Sequence, residues 1–169
     1  MSLVGFKSSN HPQQVGKRGA TERDNLGTDP ALFAKLEERF GFTLDACATD
    51  ANAKCSRYFT IEQDGLTQSW SGERVWCNPP YSEIGTWVQK AWAEHDQDVS
   101  PELVVMLLPA NRPEQAWWQD HVEPHRDRGR RLRTEFLRGR QRFVMPGAEE
   151  IGPNERPPFG CVLLIWEAK

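Results

Sequence analysis

The sequence has no run of about 18 apolar residues, so no segment of it reads as a bilayer-spanning helix. Its first 17 residues contain no apolar stretch of the kind a secretory leader carries, and a cytoplasmic protein is expected. The four cysteines, Cys47, Cys55, Cys77 and Cys161, form no C-x-x-C and have no paired histidine nearby. Reduced, mostly buried thiols are therefore expected, in place of a zinc site or a disulfide framework. No internal repeat is visible. A length of 169 residues gives one domain with a real core and leaves no room for two ordinary ones, while 38% hydrophobic and 27% charged residues are the proportions of a soluble globular protein.

Charge is unevenly placed. The net charge is −3, yet residues 126–142 carry eight arginines against only Asp127 and Glu135, so that segment is +6 and the remainder −9. A basic cluster on an otherwise acidic chain suits gripping phosphates at one place, since the planar fork of arginine matches a phosphate. The alternative is a solvated loop whose arginines pair with acidic neighbours.

Residues 1–27 are polar, rich in glycine and without periodicity, and read as a mobile tail, leaving residues 28–169 as a single domain. Leu32, Phe33, Leu36 and Phe40 then form a stripe at helical spacing, with Pro30 at the first helical position and Gly41 at the stop. Residues 42–48 read as a strand ending in small residues, residues 58–61 as a short strand, Asp64-Gly65 as a turn, and residues 75–77 as a strand running into Asn78-Pro79-Pro80-Tyr81. Ile84, Trp87, Val88, Ala91 and Trp92 make a second amphipathic helix whose tryptophans read as core. Residues 103–108 are a continuous apolar strand, residues 114–121 a helix, and residues 134–143 and 161–166 two further strands. Strands separated by helices over this length indicate an α/β sheet with a C-terminal antiparallel pair.

The tetrad Asn78-Pro79-Pro80-Tyr81 supplies what alkylating an exocyclic amine requires. The Asn78 side-chain carbonyl and the Pro79 backbone carbonyl can each accept one hydrogen of an –NH₂, drawing the nitrogen toward tetrahedral geometry and freeing its lone pair. A strong general base is then unnecessary. Pro80 and Pro79 fix the turn, and Tyr81 offers a ring to stack on the base. A base in a duplex reaches such a pocket only by flipping out. A methyl donor would sit beyond the C-terminal ends of the strands, where Asp45 and Asn78 both fall. The alternative is a structural proline turn.

The chain resembles the small phage-type DNA N-6-adenine methyltransferases. The likeness runs from about Thr28 to Trp166, through Phe40-Gly41-Phe42-Thr43-Leu44-Asp45-Ala46-Cys47-Ala48, Asn52-Ala53-Lys54-Cys55, Asp64-Gly65-Leu66, Trp76-Cys77-Asn78-Pro79-Pro80-Tyr81, Phe136-Leu137-Arg138-Gly139-Arg140 and Pro158-Phe159-Gly160. It implies an S-adenosylmethionine-dependent enzyme on a Rossmann-like methyltransferase sheet, with adenine in DNA as acceptor, in a phage or prophage protein acting in a bacterial host. Thr28 and Pro30 resemble the element that touches the methionine end of the cofactor, although Asp29 separates them. Asp45, Ala46, Cys47 and Ala48 occupy the place of the cofactor motif, with the two alanines where methyltransferases usually carry G-x-G. Asp64 and Asn52 are further cofactor candidates, each with a surface turn or cap as its alternative.

Arg138, Arg140 and Arg142 are expected to contact phosphates, since alternation on a strand would put all three on one face. With no separate recognition domain, a short or relaxed sequence preference is expected, or dimerisation to extend the footprint. His95, His121 and His125 lie in polar surroundings and read as exposed; Asp120, His121 and Glu123 match no ligand spacing, and no metal is expected. Trp117 and Trp118 read as one buried and one partly exposed ring. Two rival functions remain: methylation of another planar amine, a protein glutamine amide or cytosine, and a catalytically inactive DNA-binding or assembly protein that keeps the fold.

Overall fold

The computed structural model describes residues 24, 26–129, 132–144, 148, 157 and 159–168. Helix α1 (Pro30–Phe40) starts where the sequence places it, because Asp29 Oδ1 accepts a hydrogen bond from the Ala31 N–H at 2.9 Å and Pro30 needs no donor of its own. It stops at Gly41, whose φ of 59° lets its N–H donate back to the Glu37 carbonyl. Its apolar side meets an aromatic cluster in which Phe33, Phe42 and Trp76 have ring centroids 5.5–5.7 Å apart.

Six strands form the main sheet: β2 (Leu44–Asp45), β3 (Arg57–Tyr58), β4 (Arg74–Cys77), β5 (Leu103–Pro109), β6 (Leu132–Phe136) and β8 (Cys161–Glu167), in the order β3-β2-β4-β5-β8-β6. The first four are mutually parallel, and β8 runs antiparallel to both of its neighbours. Since β6 is antiparallel to β8, it points the same way as β4 and β5. A separate antiparallel pair joins β1 (Gly27–Thr28) to β7 (Phe143–Val144). All seven residues of β5 are buried, which explains its unbroken apolar run.

The ladder register assigns the faces. Trp76, Val105, Ile165 and Arg133 form one row, on the side where α1 packs against Trp76. Val75, Val104, Trp166 and Leu132 form the row on the other side, where Trp92 of α2 (Ile84–His95) meets Trp166 at 5.8 Å. Helix α3 (Ala116–His121) packs on α2 and buries Trp118, leaving Trp117 half-buried. Among the described residues, no helix is long and apolar enough to cross a membrane.

Several expectations need correction. The strand expected over residues 134–143 ends at Phe136, and Gly139 at φ 72° turns the chain before β7. Most of the expected tail falls outside the described residues, but Leu26, Gly27 and Thr28 are buried. His95 is buried too, with the Asp96 carboxylate 3.3 Å from Nδ1 and the Glu167 carbonyl 3.2 Å from Nε2.

Candidate active site

Strands β2 and β4 are parallel neighbours with Asp45 opposite Trp76, so both chains leave the sheet on the same edge and bring residues 45–48 beside Asn78. Between them lies a cavity of about 400 Å³, closed by Asp24, by residues 26–28, and by residues from 59–66 and 78–87. Small-molecule sites commonly measure about 300–1,000 Å³. Its walls mix apolar side chains with neutral polar ones such as Thr28, Asn52 and Asn78, and its charged groups are four acidic residues, Asp24, Asp45, Asp64 and Glu83, against a single cation among the described residues, Lys54. That balance favours a neutral or cationic occupant over a phosphate-bearing one.

Asn78 stands at the mouth of α2's entry loop with its amide orientation fixed. Nδ2 donates to the Leu26 carbonyl at 2.8 Å, a contact that only the amino end of the amide can make. Oδ1 is thereby turned away; it is buried and has no partner among the described residues. An unpaired buried acceptor costs about 1–3 kcal/mol unless a donor arrives. Ser82, in the same loop, is clamped by Asp24, with Oδ1 taking the Ser82 N–H at 3.0 Å and Oδ2 the hydroxyl at 2.8 Å. Pro80 lines the cavity, whereas Pro79 is buried outside its lining. Tyr81 also lies outside the lining: its ring meets Phe143 and Phe159 edge-on at 6.4 and 5.9 Å, and its buried hydroxyl has no partner among the described residues.

Asp45 is 2% exposed and accepts from the Cys47 N–H at 3.3 Å and the Lys54 N–H at 3.0 Å. Burial outweighs both bonds and the nearby Lys54 charge, and its pKa is pushed up to about 6. Burial, and after it the Asp45 charge, raises the Cys47 thiol to about 12, so this cysteine is a neutral wall of the cavity. Ala46 and Ala48 complete the wall. Thr28 is buried and lines the cavity, while Pro30, exposed at the first turn of α1, does not. Asn52 and Asp64 each line the cavity, and each also stabilises a turn, the alternative expected for them. Asn52 Oδ1 accepts from the Thr49 N–H at 2.7 Å, and Asp64, at φ 52°, accepts from the Leu66 N–H at 3.2 Å.

The arginine segment divides. Arg126 pairs with Glu123 at 2.8 Å, and Arg133 lies 3.2 Å from Glu167 and 3.6 Å from Glu135; these follow the alternative of solvated ion pairs. Arg130 and Arg131 lie outside the described residues. Arg138 and Arg140 are exposed with no ion pair among the described residues, and Arg142 has Nε 3.8 Å from Asp29. The strand alternation expected to align these three is absent, because they follow β6 in a loop. That loop leaves β6 on the edge that carries Asn78, three strand spacings or about 14 Å to the side.

Other cavity residues carried weak sequence signals. Leu26 and Asp24 sat in a segment without periodicity. Gly65 is dictated by crowding, since a Cβ there would lie 2.1 Å from the Ala46 carbonyl oxygen. Trp87 is buried as its helical spacing implies, yet it lines the cavity with an Nε1 that has no partner among the described residues. Among the described residues, no group of three or more His, Cys, Asp or Glu could hold a metal ion.

Comparison with known proteins places the chain in a family. The family model for DNA N-6-adenine-methyltransferase (Dam) matches residues 16–169. The DNA N-6-adenine-methyltransferase of Escherichia phage T1 is 34% identical over 119 residues, covering 68% of this chain and 44% of that protein. That of Haemophilus phage HP1 (strain HP1c1) is 36% identical over 90 residues, covering 52% of this chain and 51% of that protein. The chain spans about half the length of these curated relatives. With its tetrad and every described residue inside the family match, the chain belongs to the DNA N-6-adenine-methyltransferase (Dam) family.

Proposed function

We propose that this protein transfers a methyl group from S-adenosylmethionine to the N6 amine of adenine in DNA, on a Rossmann-like methyltransferase sheet. The observation that carries the proposal is the Asn78 amide: its donor end is occupied by Leu26, and its acceptor end is buried, unpaired and beside a 400 Å³ acidic cavity. The cofactor's positively charged sulfonium supplies the electrophilic methyl carbon. The cavity suits such a cation in size and in its excess of carboxylates. Asp45, Ala46, Cys47 and Ala48 form part of its wall, Thr28 and Asn52 contribute hydroxyl and amide groups, and Asp64 a carboxylate.

Asn78 Oδ1 and the Pro79 carbonyl hold the two hydrogens of the amine, so the nitrogen lone pair faces the cavity. Pro80 keeps the turn rigid. Tyr81 stacks on the adenine once the Phe143 and Phe159 rings give way, since they now enclose it. The neutral base enters an acidic pocket while its phosphates stay outside it, near Arg138, Arg140 and Arg142. Burying the adenine there requires flipping it from a duplex or taking it from a single strand.

The test is incubation with labelled S-adenosylmethionine and unmethylated mixed-sequence DNA, followed by nucleoside analysis. N6-methyladenine is expected with the native chain and none with Asn78→Ala. Label in cytosine or in a protein glutamine, or none at all, would overturn the proposal in favour of another planar amine or an inactive DNA-binding protein.

A further inference from the structure

Asp24 and residues 26–29, here the strap, meet the loop from Asn78 to Ser82 and are pinned at both ends. At one end Asp24 takes two hydrogen bonds from Ser82, at 3.0 and 2.8 Å. In the middle Leu26 takes the Asn78 amino group at 2.8 Å. At the other end β1 pairs with β7, Gly27 opposite Val144 and Thr28 opposite Phe143, and Asp29 caps α1. Asn78 and Ser82 are four residues apart in one loop, and Asp24 and Leu26 two apart in the strap, so these bonds tie two short segments together at two points. A loop held once can pivot; a loop held twice cannot.

Resting on the adenine-methylation reading, we infer that Asp24 is a positioning residue: by clamping Ser82 it locks the loop so that the Leu26 carbonyl meets the Asn78 amide and Oδ1 is presented to the substrate amine. Without the clamp the amide loses its fixed partner and rotates, offering Nδ2 and Oδ1 by turns. A donor facing the substrate's own N–H repels it, and misplacement of about 1 Å in such a site costs about 100-fold in rate. Asp24 acts through Ser82 and does not touch the reacting atoms. Phe143 sits at once opposite Thr28 and against Tyr81, so the strap also shares its outer anchor with the ring that encloses the base position.

Asp24 also lines the cavity, so a direct contact with the cofactor is the competing explanation, and Ser82, which is exposed and outside the lining, separates the two. The experiment compares Asp24→Ala, Asp24→Asn, Ser82→Ala and the double variant Asp24→Ala/Ser82→Ala by steady-state kinetics, calorimetric titration with S-adenosylmethionine, and hydrogen exchange of the Ser82 amide. Asp24→Ala is expected to lower kcat about 10- to 100-fold with cofactor Kd within about twofold of native, and to speed Ser82 exchange at least tenfold. Asp24→Asn keeps an acceptor for the Ser82 N–H and restores most of the rate. Ser82→Ala loses part of it, and the double variant is no slower than Asp24→Ala alone.

Loss of cofactor affinity in step with rate, multiplicative losses in the double variant, or unchanged kcat and exchange each overturn the inference. Should Asp24→Ala fail to fold, Asp24→Asn and Ser82→Ala decide it by the same readouts. Exchange and cofactor binding do not depend on the acceptor. A native chain that leaves adenine unmethylated while the variants speed Ser82 exchange therefore refutes the adenine reading and the catalytic part of the inference, but leaves the clamp itself in place.

Discussion

Asp45→Asn isolates the cost of holding a carboxylate in the wall of the cavity. The folded pKa of about 6 lies above the ordinary 3.8, and burial is the first cause. Stability that is fully present below pH 3.8 is therefore lost as pH rises through 6, because the folded form must give up a proton that the unfolded form has already released. A shift of about two units corresponds to about 3 kcal/mol of stability lost by the native chain between pH 4 and pH 7. An asparagine does not ionise and escapes that loss. It has a different cost, because one amide oxygen can serve the Cys47 or the Lys54 N–H but not both, and the amino end then faces an orphaned donor at about 1–3 kcal/mol. The variant should be least stable relative to the native chain at the acid end, near pH 4.5, and equal to it or more stable near pH 7.5. Urea denaturation at pH 4.5, 6.0 and 7.5 measures the difference. A gap that stays constant across this range would refute a buried carboxylate titrating near 6. At pH 7.5 the variant should also bind S-adenosylmethionine at least tenfold more weakly by calorimetry, while native affinity rises with pH through about 6.

Two other perturbations test the edges of the site. Replacing Arg138, Arg140 and Arg142 by alanine should weaken DNA binding and flatten the dependence of log K on log salt by about 0.9 for each phosphate no longer neutralised, with Arg138 and Arg140 carrying most of the change because Arg142 is already near Asp29; a slope identical to native would return the loop to a solvated role. Gly65→Ala should lower stability by about 1–3 kcal/mol and weaken cofactor binding at least tenfold, since its Cβ would meet the Ala46 carbonyl oxygen at 2.1 Å and drive residues 64–66 outward; native melting and native affinity together would show that the loop is more yielding than its packing implies.

What the sequence makes legible is what local chemistry decides. Pro30, Gly41 and the stripe from Leu32 to Phe40 fix α1 because cap, stop and apolar face all lie within one segment. The run in β5 is legible because burial on both faces leaves no polar position to disguise it. Residues 134–143 misled because alternation continues in the sequence after the pairing has ended: β8 begins at Cys161 and reaches only as far as Phe136, and Gly139 then turns the chain. His95 had a usable signal, since it continues the helical row of Ile84, Val88 and Ala91, but its polar neighbours outweighed it. The orientation of Asn78 had none. Its partner Leu26 lies 52 residues upstream in a segment with no periodicity, and periodicity likewise cannot tell a core tryptophan from one that, like Trp87, walls a cavity.

The sheet divides its labour in a way that explains where the unsatisfied groups sit. Strands β5 and β8 pair along seven residues each and are buried almost throughout, whereas β2 and β3 pair over only two. The short strands carry the long loops that shape the cavity, and each contributes few ladder bonds of its own. The buried polar atoms in and beside the site that find no partner among the described residues are Asn78 Oδ1, Tyr81 OH and Trp87 Nε1. At about 1–3 kcal/mol each, together with a carboxylate held against its solvation, they would unravel a cavity built only on two-residue strands. They persist because β4, one of whose ends leads into Asn78, is zipped in parallel to the long β5 ladder. A cofactor that supplies an acceptor to Trp87 and a positive charge near Asp45 removes two of these costs at once, the one at Asn78 being left to the substrate amine. Its binding should therefore stabilise the β2 side of the sheet far more than the β8 side, and hydrogen exchange slowing mainly in residues 44–66 on cofactor addition is what that argument requires.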